Sequence, residues 1–318
     1  MTWELRDAQV DLRGVLKFKP DVEYWLNAEN TYRVVFIQSE SQASWFVVTG
    51  NNFVIDGHSE GGLDGNGQVW WTYFANRTRQ NGDGRPISFT INNATNGIVR
   101  DFRIEAQPFW CNTVSHSKNI TYDGMLCNAT NQDPLYFGKN IIPNTDGINT
   151  YRSDETTMLN WDITCGDDCL AVKENSSNAI AQNIICHGGN GIAIGSVGQY
   201  ANMSDLVENV LLENLTIQRI DSKLQPNMDS GVYFKGWSGS VNGAPPTGGG
   251  GGGGFVRKVT ARNVVLDRVN HPVHVYQNNE GQHGDLPSQL MFSDLHFENW
   301  TGTTLTTGIV DIECSRAV

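Results

Sequence analysis

The chain has 318 residues, 39% of them apolar, and a formal charge of −12. That size suits one large domain or two small ones. The negative field disfavours nucleic acid and anionic membranes as partners and does nothing to steer in a polyanionic sugar chain, and no run of about 18 apolar residues is present to cross a bilayer as a helix.

Met1 to Asp11 carry charges and no apolar stretch, so no secretory leader is visible. Other features still point outside the cell. Asn-x-Ser/Thr sequons stand at Asn76, Asn93, Asn119, Asn128, Asn175, Asn202, Asn214 and Asn299, and the six cysteines permit disulfides. The expectation is a secreted glycoprotein and a monomer, whose leader is not part of this sequence. A short C-terminal tail is expected beyond it as well, because Cys314 stands four residues from the end with no later cysteine.

Helix-period patterns are scarce, and short β-branched runs recur between Asn, Gly and Asp clusters. Within them one pattern repeats: Asn or Asp, then apolar, any, apolar. It opens at Asn52, Asp101, Asp162, Asn183, Asn214, Asn263 and Asp294, with Asp123 as a degenerate member. Steps of about 21–22 residues fit one solenoid coil, steps of 31 add a loop, and steps of 49 are read as two coils. The fold class predicted is all-β, a right-handed parallel β-helix, as a single domain over 1–318. A β-sandwich, the competing reading, needs no fixed Asn before each pair. Residues 241–254, with Pro245-Pro246 and seven consecutive glycines from Gly248 to Gly254, are expected to form a flexible surface loop.

The densest chemistry lies between Asn144 and Gly198. Asp146 is 21 residues from Asp167, and Asp167 is 23 from Asn190. Those steps match the coil, so Asp146, Asp167, Asp168 and Asn190 should line one groove. Asp-Gly and Asn-Thr-Asp also form turns at coil corners, and any one aspartate could be that. An adjacent Asp-Asp pair stacked over a third is more than a turn. Three carboxylates facing one groove resist joint ionisation, which gives glycoside hydrolysis its protonated acid and its ionised partner. Calcium could use the same groups, but their spacing does not select it. No His/Cys metal spacing is present, and the Gly248 run lacks the lysine and helix of a phosphate loop, so no metal and no cofactor is expected.

Asn144-Thr145-Asp146, Asp167-Asp168-Cys169, Gly195-Ser196-Val197-Gly198 and the segment from Gly62 to Trp71 carry a resemblance. Together, in this order, they are similar to glycoside hydrolase family 28, the polygalacturonase and rhamnogalacturonase family. The likeness runs from about Val47 to the end. It implies single-displacement, inverting hydrolysis of pectic polysaccharide, with Asp167 as general acid and Asp146 and Asp168 activating water. It also implies a Cys169–Cys186 disulfide, the two lying 17 residues apart on neighbouring coils. Cys111 and Cys127 could pair too, and Cys165 reads as a buried thiol.

Two departures bear on the sugar. Where polygalacturonases usually carry Gly-His-Gly, this chain has Gly189-Asn190-Gly191; where they carry Arg-Ile-Lys, it has Tyr233-Phe234-Lys235. An arginine fork on a galacturonate carboxylate would be worth about 1.5–3 kcal/mol per bond. Tyr233 instead offers an apolar face and one hydroxyl, which suits a neutral or 6-deoxy sugar. These variants resemble the exo-acting α-L-rhamnosidase-like branch of fungi. The expected enzyme is therefore exo-acting and rhamnose-releasing or rhamnogalacturonan-directed, with an exo-polygalacturonase (galacturan 1,4-α-galacturonosidase) as the alternative. A calcium-dependent lyase and a non-catalytic carbohydrate-binding β-helix are the competing classes. Expected substrate contacts are Asn144, Asn190, Tyr233, Lys235 and Trp237, the last on the premise that it shares a strand face with Lys235. Trp110 and Tyr276 either stack on sugar or pack loops, and His187 reads as a solvated turn residue.

Overall fold

The computed structural model describes residues 1–37, 40–77, 84–279 and 281–315. Among them lie 21 strands in one continuous sheet system. The long strands Asp154–Thr164, Ser176–His187, Ser204–Gln218, Gly253–Val269 and Gln289–Thr304 alternate in sequence with the short strands Asp168–Val172, Gly191–Val197, Ser230–Trp237, His271–Asn279 and Val310–Glu313. Long pairs with long and short with short, always in parallel. One long and one short strand therefore make one coil of a right-handed parallel β-helix. Among the strands described, the exception to parallel pairing is the hairpin in which Tyr32–Ile37 runs antiparallel to the start of Glu40–Asp56; an isolated antiparallel bridge also joins Asn242 and Gly249.

The long strands turn corners because asparagine tolerates the left-handed region at little cost. Asn160, Asn183, Asn214, Asn263 and Asn299 have φ of 57°, 59°, 55°, 57° and 53°. Their side chains form a ladder up the helix: Asn183 donates to Asn160 at 3.0 Å, Asn214 to Asn183 at 3.1 Å, Asn263 to Asn214 at 3.2 Å and Asn299 to Asn263 at 2.8 Å. The rung in the Asp154–Thr164 strand is thus Asn160, two residues before the Asp162 expected from the pattern. Three sequon asparagines, Asn119, Asn214 and Asn299, already donate their amides within such ladders. Thr78 of the Asn76 sequon lies outside the described residues.

Two readings of spacing need correction. The 49-residue step from Asn214 to Asn263 spans one coil, not two, since Leu215 pairs directly with Val264. The long connections 219–229 and 238–252 account for its length, and the glycine run ends in a strand rather than wholly in the 241–254 loop. Gly253 and Gly254 open the Gly253–Val269 strand. Before them, Gly250 donates to Gln199 O at 2.7 Å, Gly251 to Ser238 O at 2.9 Å and Gly252 to Gly198 O at 3.1 Å. A Cβ at Gly250 would lie 2.1 Å from Ser240 O, and one at Gly254 1.9 Å from Asp205 O. These glycines let backbones meet more closely than any side chain permits.

Inside the coils, register stacks like on like. Trp161, Ile184, Leu215 and Val264 are successive partners and all 1% exposed. The helix Gly67–Ala75, from the family-like segment, buries Trp70 and Trp71 against Trp45, Ile141 and Ile142. Cys111–Cys127 and Cys169–Cys186 are disulfides, and Cys165 is a buried free thiol.

Candidate active site

The short strands form one face of the solenoid, and their side chains alternate between core and groove. Asn149, Ala171, Ala193, Tyr233, His274 and Asp311 are successive register partners. A second row runs Gly195, Lys235, Tyr276, Glu313. The aspartates stand where the chain enters this face: Asp146 two residues before the Ile148–Tyr151 strand, Asp167 and Asp168 at the start of Asp168–Val172. Asp146, Asp167 and Asp168 each place a carboxylate oxygen within 4.8 Å of the others. Three residues separated by up to 22 positions meet because one coil advances the chain by only ~4.8 Å along the axis.

Each carboxyl has a distinct setting. Asp146 is 3% exposed; Asn149 donates to its Oδ2 at 3.0 Å, and its Oδ1 has no partner among the described residues. Burial, then the charges of Asp167 and Asp168, push it well above the usual carboxylate range. Asp168 is 5% exposed and accepts from the Tyr233 hydroxyl. Burial and the Asp167 charge push it up to about 6, against the pull of Lys235 and Lys173. Asp167 accepts four N–H bonds: Asn144 N at 3.0 Å and Asn144 Nδ2 at 3.2 Å on Oδ2, Asp168 N at 3.1 Å and Asn190 Nδ2 at 2.8 Å on Oδ1. Asn144 is held in turn by Arg85, which donates to its Oδ1 at 2.9 Å. Such spacing could also serve a cation, but Tyr233 and the amides spend most of these oxygens as acceptors.

A cleft of about 590 Å³ lies beside the aspartates on the side of the C-terminal coils. They do not line it, but Asn190 and Tyr233, which hydrogen-bond Asp167 and Asp168, do, with Asp229, Lys235, His271 and Tyr276 among others. Among the described residues, Lys235 has no hydrogen bond or ion pair that would commit its ammonium elsewhere. On the N-terminal side the groove is closed. Phe36, from the antiparallel hairpin, stacks on Tyr151 at 4.6 Å, and Phe109 stacks on Trp110 at 4.9 Å. Lys173 lies 5.5 Å over Trp110 and 5.7 Å over Tyr151 on that closed side.

Of the residues expected from sequence, the three aspartates, Asn144, Asn190, Tyr233 and Lys235 gather here. Tyr276 lines the cleft and stacks on Tyr233, while Trp110 packs into the closing wall. Trp237 does not belong: it is 2% exposed and absent from the cleft. The register is irregular here, with one extra residue on the His271–Asn279 strand opposite Lys235–Trp237, so two-residue spacing does not carry Trp237 into the cleft. His187 binds Asp162 and Gln218 on a long strand, away from the groove. Asn149 and Lys173 escaped notice. Both continue the period-2 alternation of their strands, and that was the signal available. Arg85 sits far back in sequence and gave none.

Residues 4–318 of the chain match the family model described as Glycosyl hydrolases family 28. The chain belongs to that family. It is a glycoside hydrolase. A protein of Aspergillus niger provisionally named galacturan 1,4-alpha-galacturonidase A is 41% identical over 96% of this family 28 chain and 70% of its own length. Alpha-L-rhamnosidase rgxB of the same species is 30% identical over 99% and 69%. Exopolygalacturonase of Cochliobolus carbonum is 32% identical over 94% and 63%. Among solved structures, the endo-xylogalacturonan hydrolase of Aspergillus tubingensis superposes with a TM-score of 0.73 at 21% identity, covering 99% of this chain and 79% of that one. At that identity the likeness speaks for the β-helix fold.

Proposed function

We propose that this family 28 hydrolase is an exo-acting enzyme of pectic chains that releases terminal galacturonic acid. The observation that carries the reading is the uncommitted ammonium of Lys235, in an open cleft beside Asp168, with Lys173 on the closed side of the same aspartates. Two cations flanking the reacting position suit a sugar acid on each side of the scissile bond. The rhamnose-releasing reading rested on Gly189-Asn190-Gly191 and on Tyr233 offering the sugar an apolar face and a hydroxyl. The Tyr233 hydroxyl is instead bound to Asp168 and the residue is 6% exposed. Relatives named for galacturonic acid release also stand at 39–41% identity, against 30% for the rhamnosidase.

In this reading the terminal sugar sits against the closed wall and the departing chain lies along the cleft. Asp167 protonates the glycosidic oxygen, which displaces one of the amide donors now on that carboxyl. Asp146 and Asp168 hold and deprotonate the attacking water. The carboxylate oxygens stand nearer together than the ~6.5–9.5 Å usual between acid and base in inverting enzymes. Inversion, which the family resemblance implies, is therefore tested directly by proton NMR of the anomer first released. Product analysis tests the sugar. Polygalacturonate should yield galacturonic acid as the first and sole small product. Rhamnose from rhamnosides or rhamnogalacturonan, without galacturonic acid, would overturn this reading in favour of the rhamnosidase one. Secretion and glycan attachment belong to the same proposal, and rest on the sequons and disulfides.

A further inference from the structure

Tyr233 and Asp168 lie on strands two coils apart, with the Gly191–Val197 strand between them. Two coils are nearly 10 Å at ~4.8 Å per strand, more than most contacts bridge. The contact exists because the intervening register partner is Ala193, followed by Ala171 on the coil of Asp168. The two alanines and the two tyrosines form one small apolar cluster on this face. The Tyr233 ring lies across that low ground. Tyr276 backs it, with centroids 6.2 Å apart and planes 13° from parallel. The hydroxyl so aimed donates to Asp168 Oδ1.

From this geometry we infer that Tyr233 is a positioning residue for Asp168: it fixes the carboxyl and favours its ionised form, leaving Oδ2 for water. The inference rests on the hydrolase reading of the three aspartates, and it assigns Tyr233 no contact with sugar. A hydroxyl donated to a carboxylate supports the charged state, as a cation would but more weakly. Burial of Tyr233 keeps the phenol protonated, as a donor must be, since burial and the Asp168 charge both raise it. Phenylalanine keeps the ring and removes the donor. Ala193 is the second determinant, since a larger side chain there would bar the tyrosine from its partner.

The test is Tyr233→Phe, with circular dichroism to confirm the fold. The acid limb of kcat/KM should move up by about one pH unit, and kcat should fall roughly tenfold with KM within about twofold. A 3,5-difluorotyrosine at 233 retains ring and fold and donates more strongly, so its acid limb should move down. Infrared titration of the carboxyl band lost in Asp168→Asn reads the same shift without turnover. If that band titrates alike in wild type and Tyr233→Phe, the inference falls, whatever the activity. A raised KM with unmoved pH limbs would also overturn it, and would make Tyr233 a sugar contact. Wild-type protein that cleaves no pectic substrate overturns the hydrolase reading instead, and the infrared result still decides the Tyr233–Asp168 bond.

Discussion

Asp168 gives up nearly all its water on folding while Asp167 stays beside it, and both effects act against its charge. A group raised from an ordinary value near 4 to about 6 folds best when protonated. Its contribution is fully present below about pH 4 and is lost as pH climbs through about 6. Asp168→Asn removes the charge and leaves an oxygen to accept from Tyr233. It should stabilise the protein by on the order of 1–3 kcal/mol at pH ~7.5 and not at pH ~3.5, while turnover falls by about 10³ or more. Denaturant unfolding at the two pH values checks this; an equal gain at both would mean that packing, not ionisation, is responsible. Lys235 has the opposite character, a half-buried ammonium that draws on the Asp168 charge and, among the described residues, makes no hydrogen bond or ion pair. Lys235→Ala should raise KM for galacturonate oligomers by about 10–100-fold, with little effect on kcat, and should leave any neutral glycoside unaffected.

At the scale of the strand, one rule explains both what the sequence reveals and what it hides. Residues one coil apart share a face, so Asp146, Asp167 and Asn190 could be placed together from spacing alone. The rule holds only while register is kept. Between Lys235 and Trp237 it slips, and Trp237 turns into the core. Coil length likewise reads correctly where loops are short and fails across Asn214–Asn263, where two long connections lie within the coil. Arg85, reaching Asn144 from 59 positions away, follows no period and no pattern could have offered it. The glycine run yields its own prediction. Gly250 has φ of +113° and no room for a methyl group. Gly250→Ala should cost about 2 kcal/mol or more in denaturant unfolding, because Ser240 and Ser238 must give way to the new methyl group and the residue is held at a positive φ. A flexible loop at this point would absorb the same change with no measurable loss.

Viewed whole, the groove of the described residues has an aromatic wall on its N-terminal side and a cleft beyond the aspartates. A solenoid by itself offers a continuous trough along its short strands, along which a polymer could lie at any position. Here the hairpin Tyr32–Ile37 leaves the helical path and sets Phe36 against Tyr151, one strand from Asp168, with Trp110 and Phe109 filling behind. Arg85, 3% exposed, ties this wall to Asn144 and Pro143. The cleft on the other side holds Lys235, Tyr276 and His271, and among the described residues no aromatic cluster of this kind fills it. If, as proposed, Asp167 serves the departing oxygen toward the cleft, the sugar against the wall is the one whose anomeric carbon is attacked, which is the non-reducing terminal residue. Polygalacturonate should therefore lose monomers from that end while its viscosity falls slowly. Oligomers capped there by a 4,5-unsaturated residue should resist hydrolysis by about tenfold or more, since the altered ring must fit the closed end. Phe36→Ala thins the wall without touching an aspartate. It should let longer products appear, detectable by chromatography as di- and trigalacturonate beside the monomer. Oligomers from the unaltered enzyme at early times would instead mean that chains pass the wall, and that the hairpin does not set the mode of attack.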